Sequence, residues 1–417
     1  MSTPSTTNTP LPARSSEPKR FILLSISVIA CLTIAACSNT SGLTTSNTAQ
    51  TTTTAPRPST TTTVAASTGH PIRAIQIGAG GQFVCALQAD TKIKCWGNTG
   101  HTEIGYEPGA GSSTPVTVTG ITGVTQVSSG CALLSDTTIK CWGANSFGQL
   151  GDGTNTNSNT PVTVTGITGA TQISTSYFYS CALLADTTIK CWGQSFPGVW
   201  ANDTITHSNT PVTVTGITGA TQISTGDGHS CALLANATIK CWGNNGFGQL
   251  GDGTNTDTST PITVTGLTGA TQISSGGAYS CALLANTTIK CWGNNLYGEL
   301  GNGTNTDAST PVSVTGITGA TQISAGLEHS CALLADTTIK CWGHNLFGGL
   351  GDRTTTHSNT PVKVVGITGA TQIVAGFDHS CALLANTTIK CWGHNEHGQL
   401  GNGSNVNSIT PVIVSEP

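Results

Sequence analysis

Fourteen of the sixteen cysteines stand in pairs ten residues apart: Cys85/Cys95, Cys131/Cys141, Cys181/Cys191, Cys231/Cys241, Cys281/Cys291, Cys331/Cys341 and Cys381/Cys391. Thiols ligate metal, react as nucleophiles, or crosslink the chain. Zinc sites and redox dithiols place neighbouring cysteines roughly two to four residues apart, which these pairs do not. A ten-residue separation suits the two strands of a hairpin with the sulfurs facing, and hence a disulfide; buried free thiols are the alternative reading. Successive pairs are 50 residues apart except for a first step of 46, the shortfall lying between Gln126 and Cys131.

The other reactive side chains form no catalytic constellation. His229, His329 and His379 each precede a cysteine by two residues, a place held by Tyr179 and Tyr279 in other copies. Metal ligands do not readily tolerate that exchange, so a local hydrogen bond or a packing role is expected. His344 and His394 lie in loops whose neighbours the spacing does not specify. The run Gly251-Asp252-Gly253-Thr254-Asn255-Thr256-Asp257 invites calcium but lacks the spacing and final glutamate of an EF-hand loop, and Asn302 and Asn402 replace its first acid. There is no phosphate loop, nucleophile elbow or recurring carboxylate pair. The expectation is no catalytic residue, no metal, no cofactor and no enzymatic activity.

Short strands must hold these residues. In one unit the pattern predicts strands over 211–214, 221–224, 230–234 and 238–242, with Pro211 first in its strand, where a missing N–H is tolerated. A glycine- and asparagine-rich loop follows over 243–256. A hairpin centred on Asn236 sets Cys231 opposite Cys241 and Leu233 opposite Ile239. Closing so small a loop contributes roughly 2–3 kcal/mol. Trp242, like Trp96, Trp142, Trp192, Trp292, Trp342 and Trp392, then faces away from its cysteine and against a neighbouring unit. Gly243 is expected to permit close backbone approach or a positive φ, and Lys240 and its equivalents read as separate surface groups. Four short strands recurring every 50 residues predict an all-β, seven-bladed β-propeller with four-stranded blades. The array starts at residues 73–77, counterpart of the strand over 221–224, and ends at 411–414, counterpart of the one over 211–214. The C-terminal strand is therefore expected to complete the first blade and close the ring.

The segments His229-Ser230-Cys231-Ala232-Leu233-Leu234, Ile239-Lys240-Cys241-Trp242-Gly243 and Asn245-Gly246-Phe247-Gly248-Gln249-Leu250-Gly251 resemble the repeat of the regulator-of-chromosome-condensation family, over about residues 71–417. The likeness is to the cysteine-containing version found in exported bacterial proteins. It implies a propeller that binds proteins through one face. The family includes a nucleotide-exchange factor for a small nuclear GTPase and secreted inhibitors of β-lactamases; no exchange or catalytic residue is carried over.

Composition narrows the context. Only 8% of the 417 residues are charged, and 15 basic against 19 acidic groups give a net charge of −4. No basic stripe exists for a nucleic-acid backbone, and coiled coils are excluded by the scarcity of charged helix formers. Residues 1–37 read as a leader. Lys19 and Arg20 precede an apolar run over 21–36, shorter than the ~20 residues of a membrane span. It ends Ile34-Ala35-Ala36-Cys37, which resembles a bacterial lipoprotein processing box and implies lipidation at Cys37; a plain secretory signal and an uncleaved anchor are the alternatives. Residues 38–69 are a Ser/Thr-rich tether and 70–417 the propeller. The expected location is the bacterial cell envelope outside the cytosol, lipid-anchored to the membrane, or else secreted.

Copies differ most in two loops, and the third copy departs furthest. Tyr177, Phe178, Tyr179, Phe196 and Trp200 form the candidate contact patch, aromatic as interfaces are. The expected function is a surface-tethered or secreted binding protein whose partner is an unidentified extracellular or envelope protein or polymer. A structural surface protein without a specific ligand, or a secreted enzyme, is the alternative.

Overall fold

The computed structural model describes residues 69–98, 111–194 and 207–417; Cys37, Phe196, Trp200, the leader and most of the tether lie outside them. The fourth blade shows the plan. Strands Ala220–Thr225, His229–Leu234, Ile239–Gly243 and Thr258–Thr263 pair antiparallel in that order. Seven such four-stranded sheets follow one another, and the protein is a seven-bladed, all-antiparallel β-propeller. Within the blade Cys231 faces Cys241 and Leu233 faces Ile239.

All seven cysteine pairs are disulfides, which removes the alternative of buried free thiols. Cys85–Cys95, Cys131–Cys141, Cys181–Cys191 and Cys231–Cys241 crosslink the first four blades. Cys281–Cys291, Cys331–Cys341 and Cys381–Cys391 crosslink the last three. Their Cα–Cα separations are 4.0–4.1 Å. Such close approach belongs to the narrow, non-hydrogen-bonded kind of antiparallel pair.

Alternation puts the disulfide on one face of a blade and the tryptophan on the other. Trp292 accordingly packs among Cys231, Leu233, Ile239, Cys241, Leu250 and Val264 of the preceding blade's face. Its indole N–H donates to the Gln249 carbonyl at 2.9 Å, so the one polar atom of a fully buried ring is satisfied. The Lys240 ammonium donates to the Gly216 carbonyl at 3.0 Å, as Lys190, Lys340 and Lys390 do to their own turns.

Three expectations are corrected. The C-terminal strand Ser408–Ile413 pairs with Ile389–Gly393 in the seventh blade, and the first blade has its own outer strand, Ser112–Thr117. The strand over 211–214 belongs with the strand before it, through Lys190↔Thr213 and Cys191↔Val212; the turn at Gly216 and Gly219 then carries the chain onward to the next blade. Among the described residues every sheet is thus built from consecutive strands, and none is exchanged between blades. Nor is Pro211 first in its strand: it is the fifth residue of His207–Thr213. There it sits beside a register shift in an edge strand, where no ladder donor is required of it.

Closure comes from side chains at the inner strands. One glutamine per blade reaches the next blade, its Oε1 accepting the N–H of a buried residue there. Gln76 serves Val127 at 2.9 Å, Gln126 serves Ile173 at 3.1 Å and Gln172 serves Ile223 at 2.9 Å. Gln222, Gln272 and Gln322 serve Ile273, Ile323 and Ile373 at 2.9, 3.0 and 2.9 Å. Gln372 completes the circuit on Ile77 at 2.9 Å, and its Nε2 returns a bond to the Ile77 carbonyl at 2.8 Å. The inner strands border an open cavity of about 830 Å³ lined by Gln126, Gln172, Gln222, Gln272 and Gln322 with Thr171, Thr221, Thr271 and Thr321. A short N-terminal segment adds the bridges Pro71↔Ser415 and Arg73↔Thr388 across the junction.

Replacing Gln372 by alanine leaves the Ile77 N–H and carbonyl unpaired at a buried edge. A loss of about 1–3 kcal/mol is expected, read as a lower denaturation midpoint; an unchanged midpoint would show that the ring does not depend on this bond.

Candidate functional site

In each blade two loops meet on one face: the one between the first and second strands, and the one after the third. Backbone bonds fix the meeting. Asn244 N–H donates to the Gly228 carbonyl at 2.9 Å, Asn294 to Ala278 at 2.9 Å, His344 to Glu328 at 2.8 Å and His394 to Asp378 at 2.9 Å. Gly243 allows it: its φ is +115°, and a Cβ there would lie 2.6 Å from the Gly228 oxygen. The residues that vary between copies therefore converge on this face.

One sector is aromatic. Tyr177, 40% exposed, meets Phe178 edge-on at 4.8 Å and Phe377 of the seventh blade at 6.0 Å. Phe147 of the second blade stands 6.4 Å from Phe178. Tyr177 also borders a notch of about 40 Å³ with Phe83, Ser129, Gly130 and Trp142, where the second blade's shorter loop leaves room. Tyr179 does not belong to the patch. It is fully buried, and its hydroxyl donates to the His229 carbonyl and bonds the Ser230 hydroxyl at 2.9 Å. It opens the strand Tyr179–Leu184, whereas Tyr177 lies in the bend before that strand, and it points into the blade interface, where no partner can touch it.

The disulfides stand apart from any such patch. Cys131 borders the notch, but Cys95, Cys141, Cys291, Cys341 and Cys391 on the third strands are fully buried, as are Cys85, Cys181, Cys231, Cys281, Cys331 and Cys381 on the second. These sulfurs are structural crosslinks and not binding or reactive groups.

Tyr179 explains its histidine counterparts. His229 Nε2 bonds the Ser280 hydroxyl and His329 Nε2 the Ser380 hydroxyl, each at 2.8 Å and each across to the next blade. The contact is between blades rather than local. Val84 holds the serine's place in the first blade, and buried His379 has neither ring nitrogen partnered among the described residues. Burial lowers all three histidines, His229 and His379 to about 3 and His329 to about 4.

A second sector is ionisable. His344 Nδ1 lies 2.9 Å from Asp378 Oδ1 and 3.9 Å from Glu328 Oε2, and the ligand atoms of these three side chains converge as no other His/Cys/Asp/Glu group does among the described residues. Burial disfavours the His344 cation, but the Asp378 hydrogen bond and charge, with Glu328 and Glu299, outweigh it and raise His344. Burial likewise works against ionised Asp378, and His344 outweighs it, leaving Asp378 below the usual range. Tyr297 and His357 flank the His344 ring at 4.8 and 4.7 Å. Glu299 occupies the place of Gln249, accepts the Tyr297 N–H at 2.9 Å, and is pushed by burial up to about 7. From the sequence His344 is legible only as a loop residue, with Glu328 and Asp378 not among the candidates. The signal to find was an acid and a histidine sixteen residues apart, in the two copies where others carry Gly228/Asn244 or Ala278/Asn294.

By contrast, the loop over 243–256 uses its own polar groups. Asp252 accepts the Thr254 N–H and hydroxyl, and buried Asn245 donates to the Thr254 and Thr256 carbonyls.

Fold and face define a repeat propeller with a uniform interior and one differentiated loop face. The chain belongs to the RCC1-like domain family, whose model matches residues 131–416. Prp20p of Saccharomyces cerevisiae, in a structure reported with its binding to Gsp1p and histones, is 21% identical over 83% of this chain and 88% of its own, with a TM-score of 0.67. Yeast RCC1 (Prp20) bound by Kap60 is 20% identical over 88% and 91%, TM-score 0.69, and human WBSCR16 21% identical over 73% and 84%, TM-score 0.67. These are likenesses of fold. Comparison with curated proteins gave no match. The expectation of no enzymatic activity is corrected: the family includes the exchange factor noted above, and yeast RCC1 matches along most of both chains. Membership in this class therefore does not exclude catalysis.

The buried groups give two opposite pH signatures. An unfolded histidine binds a proton below about 6.5, while folded His379 stays neutral down to about 3; the wild type therefore loses stability as pH falls through that window. His379→Phe should gain on the wild type by up to about 1.4 kcal/mol per pH unit from 6.5 downward. Folded Glu299 stays protonated up to about 7, so Glu299→Gln should gain by a similar slope as pH rises from about 4.5 to 7. Denaturation midpoints across pH check both; parallel curves for variant and wild type would contradict the assignments.

Proposed function

We propose that the chain is a protein-interaction module acting outside the cytosol, presenting its loop face to a protein partner. The observation that carries this is the aromatic sector on that face, where Tyr177 links Phe178 to Phe377 and both Tyr177 and Phe147 remain open to solvent. Aromatic anchors in a partly enclosed setting are the usual centres of protein–protein contact energy. Prp20p, which shares the fold, is reported with protein partners, in keeping with a propeller that docks proteins. Seven disulfides support an oxidising compartment. The apolar run over 21–36 and Cys37 support export, with lipid attachment at Cys37 as its tethered form. The unvarying interior favours a second reading, a structural surface scaffold without a dedicated ligand, because nearly every recurring residue is used by the fold itself.

Full-length protein, kept oxidised and immobilised, is compared with a Tyr177→Ala/Phe147→Ala double variant in capture from envelope and culture-fluid extracts. A saturable protein partner held at least tenfold more weakly by the folded variant is the expected result. Equal retention would remove the aromatic sector as the contact surface, and no saturable partner would favour the scaffold.

A further inference from the structure

We propose that Glu328, His344 and Asp378 bind one divalent transition-metal ion of the zinc class on the loop face at the junction of the sixth and seventh blades. Three separate loops supply the three side chains, and one ligand atom from each lies within 4.8 Å of the other two. His344 Nδ1 already points at both acids, 2.9 Å from Asp378 Oδ1 and 3.9 Å from Glu328 Oε2. The ion takes the place of the proton in the His344–Asp378 hydrogen bond, and that proton leaves to solvent.

The donor set selects the metal. One imidazole nitrogen with two carboxylate oxygens suits zinc, which accepts nitrogen and oxygen donors and keeps a fourth position for water; calcium and magnesium take oxygen ligands. Two carboxylates beside one imidazole leave the site anionic, and among the described residues no lysine or arginine forms an ion pair with either acid. His344 is 11% exposed, Asp378 23% and Glu328 40%, so the set is sheltered on one side and open to solvent on the Glu328 side.

The surroundings hold the ligands in place. The backbone bond from His344 to Glu328, 2.8 Å long, fixes two of the loops together. The His344 ring is held edge-on by Tyr297 at 4.8 Å and stacked on His357 at 4.7 Å. His357 is itself fixed by accepting the Asn345 N–H on Nδ1 at 2.9 Å. Oriented first ligands are what metal affinity depends on. Sister blades show that the loops do not need these residues to fold: the fourth carries Gly228 with Asn244 and the fifth Ala278 with Asn294, joined by the same backbone bond at 2.9 Å.

Those sister residues supply the test. Full-length protein stripped with chelator is titrated with zinc by calorimetry and with cobalt by visible absorption, alongside His344→Asn and Glu328→Ala. The wild type is expected to bind one zinc per chain saturably, to give cobalt d–d bands, and to melt higher with zinc. Each variant, checked for fold by circular dichroism, is expected to lose at least tenfold in affinity and the cobalt bands, while His397→Asn keeps both. Should His344→Asn fail to fold, Glu328→Ala decides. The proposal is overturned by no saturable zinc binding in the wild type, by undiminished binding in a folded variant, or by calcium binding in preference to zinc.

Discussion

A propeller blade has an inner strand whose outward peptide groups face the neighbouring blade with no strand to pair with. This protein meets that requirement with a single side chain. A glutamine amide carries an acceptor and donors in nearly the arrangement of a peptide group, and each reaches a buried residue one blade further on. Gln372 on Ile77 is the seventh such bond and returns the chain to its start. Each bond contributes only about 1 kcal/mol net, but a missing one strands a buried N–H. The circuit thus fixes blade spacing, and the other inter-blade contacts depend on that spacing. Trp292 reaches the Gln249 carbonyl, and Tyr179 and His229 reach the next blade's serine, only because the blades stand at one repeated separation.

Covalent and non-covalent forces divide the labour. Disulfides act within blades, between the second and third strands, where they restrict the unfolded chain. Between blades the contacts are apolar burial, amides and hydroxyls. With 8% charged residues, ion pairing has little part in the fold; on the loop face Glu328 and Asp378 stand beside His344. The interior is held by neutral groups, the repeat tryptophans with Tyr179 and Tyr279 among them, while Tyr177 and Phe147 stay exposed on the loop face. The wide use of buried polar groups also makes local failures visible. Where Val84 replaces the expected serine, His379 has no hydrogen-bond partner among the described residues, and where Glu299 replaces glutamine a carboxyl group is buried in its protonated form.

Much of this was legible in the sequence, for identifiable reasons. The Cys231–Cys241 register followed from strand alternation and a short hairpin, a local relation with little freedom, and the same relation holds for Cys95, Cys141, Cys291, Cys341 and Cys391 with their partners. Blade composition did not, because fourteen residues of loop separate Gly243 from Thr258 and nothing in that span tells which sheet the strand after it joins. The recurring glutamine passed unnoticed: one polar residue in a short strand reads as solvent-facing until the next blade is in place. Tyr179 was grouped with Tyr177 by proximity in sequence, whereas two residues along the chain separate the loop surface from the blade interface. The Glu328–His344–Asp378 group joins two blades and positions fifty residues apart, a relation that exists only once the repeat spacing becomes a physical distance.

A closed circuit of seven glutamines should make the ring one cooperative unit, and residue-resolved hydrogen exchange of the native, oxidised protein tests this directly. The amides of Ile77, Val127, Ile173, Ile223, Ile273, Ile323 and Ile373 are predicted to exchange at one common slow rate, through global unfolding alone. Faster exchange at Ile77 than at the other six would show a ring open between the first and seventh blades, and would contradict the closed circuit.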